Sequence, residues 1–204
     1  MYSVRVGDEV ISPSKVVCIG RNYLEHIQEL NNAIPDDMVV FNKPSTSIAQ
    51  QLYAAHDEPL HYEAEICFVV NDGSYTAVGV GLDLTKRKLQ SALKGKGLPW
   101  ERAKGFDNSA IFSRFVPIES VDVDDLQIEL FINCVRVQLG HVKQMMYSPS
   151  AILDELKSYT TLIDGDIVMT GTPKGVGEVH KDDVFLCRLK SGEETVLEIE
   201  WHAQ

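Results

Sequence analysis

A pair of carboxylates at the mouth of an apolar run places the strongest constraint on this chain. In His61-Tyr62-Glu63-Ala64-Glu65-Ile66-Cys67-Phe68-Val69-Val70 the last five residues read as a buried β-strand. Side chains two apart on a strand share a face, so Glu63 and Glu65 lie side by side, about 7 Å apart along the strand. Like charges drawn toward a core raise each other's pKa and oppose folding unless positive charge sits between them. A hard divalent cation meets that need. Oxygen ligands suit Mg²⁺, with Mn²⁺ and Ca²⁺ as the other hard ions, better than Zn²⁺. The bland alternative is a strand end with both glutamates in water.

The 204 residues are enough for one good core, and one domain over 1–204 is expected. The net charge of -11 argues against a nucleic-acid partner, whose phosphates call for clustered Lys and Arg. Apolar runs fall far short of the ~20 residues of a membrane span. The N-terminal stretch lacks the basic and apolar parts of a secretory signal, so the cytoplasm is the expected location. Cys18, Cys67, Cys134 and Cys187 sit in apolar runs without a Cys-x-x-Cys pair, and all four are expected as buried thiols.

Alternating positions predict strands around Val4/Val6, Val10/Ile11 and 15–19. A helix over 24–30 follows, with Leu24, Ile27 and Leu30 on its inner side. His26 and Glu29 are three apart on it. The carboxylate can therefore hold one ring nitrogen while the other faces outward as a base, unless the pair is simply solvated. A strand over 38–41 leads to a turn at 42–47, where Lys43 meets either an anionic substrate or water. The Gly-spaced strand 77–82 ends in Asp83, which repeats the carboxylate-at-a-strand-end arrangement of the glutamates. Asp83 is either a third oxygen ligand or a turn residue. Thr85 is expected to cap a basic helix over 86–96 that buries Leu89, Ala92 and Leu93. Lys104, flanked by Ala, Gly and Phe, is a candidate for stabilising developing negative charge, or a surface lysine.

A short strand over 111–117 and an acidic turn at 122–125 come next, then a hairpin through Asn133-Cys134. Ser148-Pro149 opens a helix with Ile152, Leu153, Leu156 and Tyr159 on its apolar face. The strand near 167–169 runs into Thr170-Gly171-Thr172-Pro173-Lys174-Gly175-Val176-Gly177, a loop whose N–H and hydroxyl groups suit a carboxylate. Two strands, 183–189 and 195–201, close the chain. The predicted class is mixed α/β, mostly β, with a few helices and no internal repeat.

Taken together, several stretches resemble the fumarylacetoacetate hydrolase family. They are Gly20-Arg21-Asn22-Tyr23 with His26 and Glu29, Lys43-Pro44, Glu63-x-Glu65, Leu82-Asp83-Leu84-Thr85, Ala103-Lys104, and Gly165-Asp166 through Gly177. Their order is that of the family, and the length resembles its compact acylpyruvase-like members. The resemblance implies a rolled sheet like that family's C-terminal domain, a homodimer, and a divalent metal, most often Mg²⁺. By position, Glu63, Glu65 and Asp83 resemble the metal ligands, and His26 and Glu29 a water-activating pair on a lid. Lys104 resembles the charge-stabilising lysine. Arg87, Gln90 and Thr172, with Arg21 and Lys43, are the expected substrate contacts.

Such a site can chelate a small 2-oxo or 2,4-dioxo acid and polarise it. The reaction expected first is hydrolytic carbon–carbon cleavage of an acylpyruvate to pyruvate and a carboxylic acid, with His26 activating water. Decarboxylation of oxaloacetate and enol–keto exchange are the alternatives on the same site. A metal-stabilised binding module without catalysis is the remote one.

Overall fold

The computed structural model describes residues 2–30 and 32–204. It is mostly β with few helices, as expected. The large sheet runs in the order Val39–Pro44, Lys15–Gly20, Ile167–Met169, Ala64–Asn71, Ser74–Asp83, Ala110–Phe112, Ile48–Ala49, with Val116–Pro117 also on Ser74–Asp83. Two of its pairings are parallel, Ile167–Met169 with Lys15–Gly20 and Ile48–Ala49 with Ala110–Phe112. A second, antiparallel sheet has the order Val135–His141, Leu126–Ile132, Val184–Ser191, Glu194–His202. The helices are α1 (Leu24–Glu29), α2 (Arg87–Gly95), α3 (Glu101–Lys104) and α4 (Pro149–Tyr159). Among the described residues no helix is long and apolar enough to cross a membrane.

The strand Ala64–Asn71 is central, and its near-continuous apolar run follows from burial on both faces. Ile66 and Phe68 share one core with Ile128, Leu130, Phe185 and Leu189 of the second sheet. Cys67 and Val69 point the other way and pack with Val16, Cys18, Ile167 and Met169. Helix α4 covers Val17, Ile19, Val70 and Val168 with Ile152 and Leu156. Its Ser148 accepts a hydrogen bond from the Ala151 N–H, the cap its sequence predicts. Tight hairpins form at Asp72-Gly73 and Asn133-Cys134, all four residues at positive φ, as two-residue turns between twisted strands require.

Several local expectations change. Residues 42–44 continue a strand rather than turning, because Asn42, Lys43 and Pro44 pair with Val17, Val16 and Lys15. Helix α2 begins one residue later than expected, and Thr85 does not cap it: its hydroxyl accepts a hydrogen bond from Lys104 Nζ at 2.6 Å. Helix α2 buries Leu93 as expected, but Leu89 is half-buried, Ala92 is exposed and Gln90 is buried in their place. Leu24 and Tyr159 are also exposed, at the outer ends of their helices. Cys134 is exposed because it forms the hairpin tip, whereas Cys18, Cys67 and Cys187 are buried.

Asp166 pins the entrance of the strand Ile167–Met169 to its neighbour. Its wholly buried carboxylate accepts from Ser14 Oγ at 2.6 Å, Lys15 Nζ at 2.6 Å and the Ile163 N–H at 2.9 Å. Burial works against ionisation, but these hydrogen bonds and the Lys15 charge hold the carboxyl below its ordinary value. A pKa lowered by folding stabilises above the unfolded pKa and ceases to as pH falls through the folded one. Asp166→Asn is therefore expected to cost about 2–3 kcal/mol at neutral pH. The gap from wild type should begin to narrow as the pH falls through about 4 and close only below the lowered folded pKa, which denaturant titrations from neutral to acid pH check.

Candidate metal centre

The antiparallel pairing of Ala64–Asn71 with Ser74–Asp83 builds the acidic cluster. Ala64 faces Leu82 in that register, and one step earlier the Asp83 N–H donates to the Glu63 carbonyl at 2.8 Å. Directly opposed residues share a face, and Glu65 lies two residues along, so all three carboxylates converge. One oxygen from each of Glu63, Glu65 and Asp83 lies within 4.8 Å of the others, and all three side chains are buried.

The surrounding cations distribute unevenly. Lys104, carried in by α3, donates to Glu63 Oε2 at 2.8 Å, Asp83 Oδ2 at 2.6 Å and Thr85 Oγ1. Burial disfavours its charge, but Asp83 and Glu63 outweigh that and raise its pKa. Arg87 from α2 donates to Glu63 Oε1 and, at 2.9 Å, to Gln90 Oε1. Burial works against the Glu63 charge as well, yet Lys104 and Arg87 hold its carboxyl far below the usual range. Among the described residues Glu65 has no such partner, and its Oε2 accepts from the Gly171 N–H at 2.7 Å. Burial, then Asp83 and Glu63, push its pKa well up.

Lys43 is the expected substrate contact that the fold moves elsewhere. Its side chain is wholly buried beneath the cluster, outside the cleft, and its ammonium donates to the carbonyls of Leu84, Lys104 and Ser109. Asp83 Oδ1 lies 2.8 Å from that ammonium but off the line of a hydrogen bond, since the three donors are already committed. This buried carboxylate oxygen has no hydrogen-bond partner among the described residues. An uncompensated Glu65 beside two further buried carboxylates, on an all-oxygen donor set, fits a hard divalent cation.

His26, Arg21, Arg87, Gln90, Lys104 and Thr172 line the same cleft as the three carboxylates. His26 is buried, with Nδ1 3.3 Å from Glu29 Oε2. The sequence expects the glycine loop to hold a carboxylate, and two of its N–H groups do so for the protein's own: Gly171 holds Glu65, and Gly175 donates to Glu29 Oε1 at 2.9 Å. At Gly175, φ is +98° and a Cβ would run into the Val137 carbonyl, so only glycine lets the loop come this close.

Three contributors escaped the sequence reading. Gln138 is almost fully buried; its Oε1 accepts from the Ala64 N–H at 3.0 Å, and its Nε2 donates to Thr172 Oγ1 at 2.9 Å. It ties the glycine loop to the carboxylate strand. Lys94 and Trp100 also line the cleft. The i, i+4 spacing of Gln90 and Lys94 was the available signal for Lys94.

The chain's residues 15–203 match the model of the fumarylacetoacetate (FAA) hydrolase C-terminal domain. The protein belongs to the fumarylacetoacetate hydrolase family. It is 38% identical over 184 residues to the mitochondrial oxaloacetate tautomerase of Bos taurus, a match covering 82% of this chain and 83% of that one. The structure of a fumarylacetoacetate isomerase/hydrolase family protein from Oleispira antarctica aligns with TM-score 0.94 and 29% identity over 100% of both chains. Fumarylpyruvate hydrolase from Pseudomonas aeruginosa, in complex with Mn²⁺ and pyruvate, aligns with TM-score 0.88 and 26% identity over 98% of this chain and 94% of that one.

Proposed function

We propose that this enzyme of the fumarylacetoacetate hydrolase family interconverts the enol and keto forms of oxaloacetate. The carrying observation is the His26–Glu29 pair set in one cleft with the Glu63, Glu65 and Asp83 carboxylates. Similarity over most of both chains to an oxaloacetate tautomerase supports oxaloacetate as the substrate. A divalent cation held by the three carboxylates, Mg²⁺ or Mn²⁺, would supply Lewis-acid polarisation of the 2-oxo group. Glu29, itself fixed by Gly175, holds His26 Nδ1 and leaves Nε2 to carry a proton. Ketonisation moves one proton from the enol oxygen on C2 and places one on C3, so no water molecule need attack. Gln90 and Thr172 border the cleft as candidate contacts to the substrate's acid end.

The second reading is hydrolysis of an acylpyruvate. The same His–Glu pair suits water activation, and the Pseudomonas relative is a fumarylpyruvate hydrolase. A panel of oxaloacetate, acetylpyruvate and fumarylpyruvate with Mg²⁺, following enol absorbance, CO₂ release and cleavage separately, decides between them. Enol loss with oxaloacetate and no cleavage of the other two is the expected pattern. His26→Ala should slow that exchange by about 10²–10⁴-fold while Mg²⁺ binding, measured by calorimetry, persists. An undiminished rate would remove His26 from the proton path.

A further inference from the structure

We propose that Lys94 and Arg21 form a second anion site in the cleft that selects 2-oxo acids bearing a distal carboxylate. This rests on the 2-oxo acid reading above. Arg87, Gln90 and Lys94 lie three and four residues apart on α2, so they present one face to the cleft. Arg87 faces Glu63, while Lys94 sits a turn beyond Gln90, with its ammonium 2.8 Å from Asn32 Oδ1 and 5.5 Å from the centre of the Trp100 ring. Arg21 comes from the chain segment before α1, and its guanidinium carbon lies 5.7 Å from the same ring. One indole therefore seats both cations.

Charge matching separates these two from the other cations of the site. Lys43, Lys104 and Arg87 each lie within 4.0 Å of a carboxylate of the cluster. Neither Lys94 nor Arg21 forms an ion pair among the described residues, and Arg21 Nε is buried without a hydrogen-bond partner. Arg21 is also held at φ +57°, a left-handed conformation that side-chain-bearing residues rarely adopt. Burial and the neighbouring Arg21 and Arg87 charges draw the Lys94 pKa down to about 8, as expected of cations gathered without their anion. A 2-oxo monocarboxylate whose acid group lies at the carboxylate cluster leaves both positive charges unmatched. A second carboxylate at the far end of the substrate matches them, with charge-assisted hydrogen bonds.

The test is calorimetric titration of the Mg²⁺-loaded protein with oxaloacetate and with 2-oxobutanoate, which carries a methyl in place of the distal carboxylate. Wild type is expected to bind oxaloacetate at least about tenfold more tightly. Lys94→Gln and Arg21→Gln should each cut that ratio by about tenfold through oxaloacetate alone, and Lys94→Arg should retain most of it. Because Lys94 also lies in the last turn of α2, melting curves accompany each variant; a preference lost at unchanged melting temperature is the expected combination. An unchanged ratio in Lys94→Gln, or equal weakening of both acids, overturns the proposal. Binding of neither acid to wild type overturns the 2-oxo acid reading, and the proposal with it.

Discussion

Glu65→Gln is expected to abolish metal binding while making the metal-free protein more stable. Among the described residues Glu65 is the carboxylate of the cluster without a cationic partner, buried beside Asp83 and Glu63, and its pKa is pushed well up. An acid whose pKa is raised by folding destabilises the fold as pH rises from its unfolded value through its folded one, so at neutral pH the glutamate works against folding. Glutamine keeps the shape and an oxygen for the Gly171 N–H but removes the charge. Melting of the metal-free variant should therefore rise, by about 2–4 °C for each kcal/mol relieved. The same substitution removes an anionic oxygen ligand. Mg²⁺ affinity should fall by more than the ~10–100-fold typical of losing an outer-shell partner, and turnover with it. Calorimetry with Mg²⁺ and thermal melts with and without the ion check both halves. A variant that melts lower without metal would mean that Glu65 is already compensated.

Lys43→Met is the substitution expected to damage the fold most. Methionine resembles lysine in length, so the void is small; what is lost is the buried positive charge. Three backbone carbonyls and one side of Asp83 depend on that ammonium. Removing one partner of a buried ion pair costs about 3–5 kcal/mol, because the remaining charge stays buried. Urea denaturation should show a loss of that size at neutral pH. The double variant Lys43→Met with Asp83→Asn should recover part of it, since the carboxylate oxygen that faced the ammonium is then uncharged, while Lys104 still holds the other side of residue 83. A stability loss below about 1 kcal/mol would place Lys43 among solvated lysines, contrary to its burial.

Local physics made much of the site legible beforehand. The i, i+2 period of a strand put Glu63 and Glu65 on one face, and the i, i+3 spacing of a helix put Glu29 beside His26. The apolar run Ile66–Val70 announced a buried strand, which the fold covers on both faces, and Ser148-Pro149 announced the start of α4. The misjudged residues were those whose environment is supplied by distant chain. Thr85 has the chemistry of a helix cap, but Lys104 arrives from α3 and claims its hydroxyl. The glycine loop does cradle carboxylates as its composition suggests, and only the packing decides that they are Glu65 and Glu29.

The sequence by itself determined the kind of chemistry available: paired carboxylates on a buried strand, a His–Glu pair on a helix, and lysines and arginines spaced among them. Periodicity over a few residues decides which side chains share a face, and it needs no knowledge of the rest of the chain. Only the tertiary structure set Asp83 opposite Glu63, because that depends on the register between two strands joined by a hairpin. Only packing sent Lys43 beneath the cluster rather than into the cleft, and brought Lys94 and Arg21 to one indole. Register and the direction of a long side chain are fixed by the whole core closing at once, since a one-residue slip would turn every apolar residue of the strand to the wrong face.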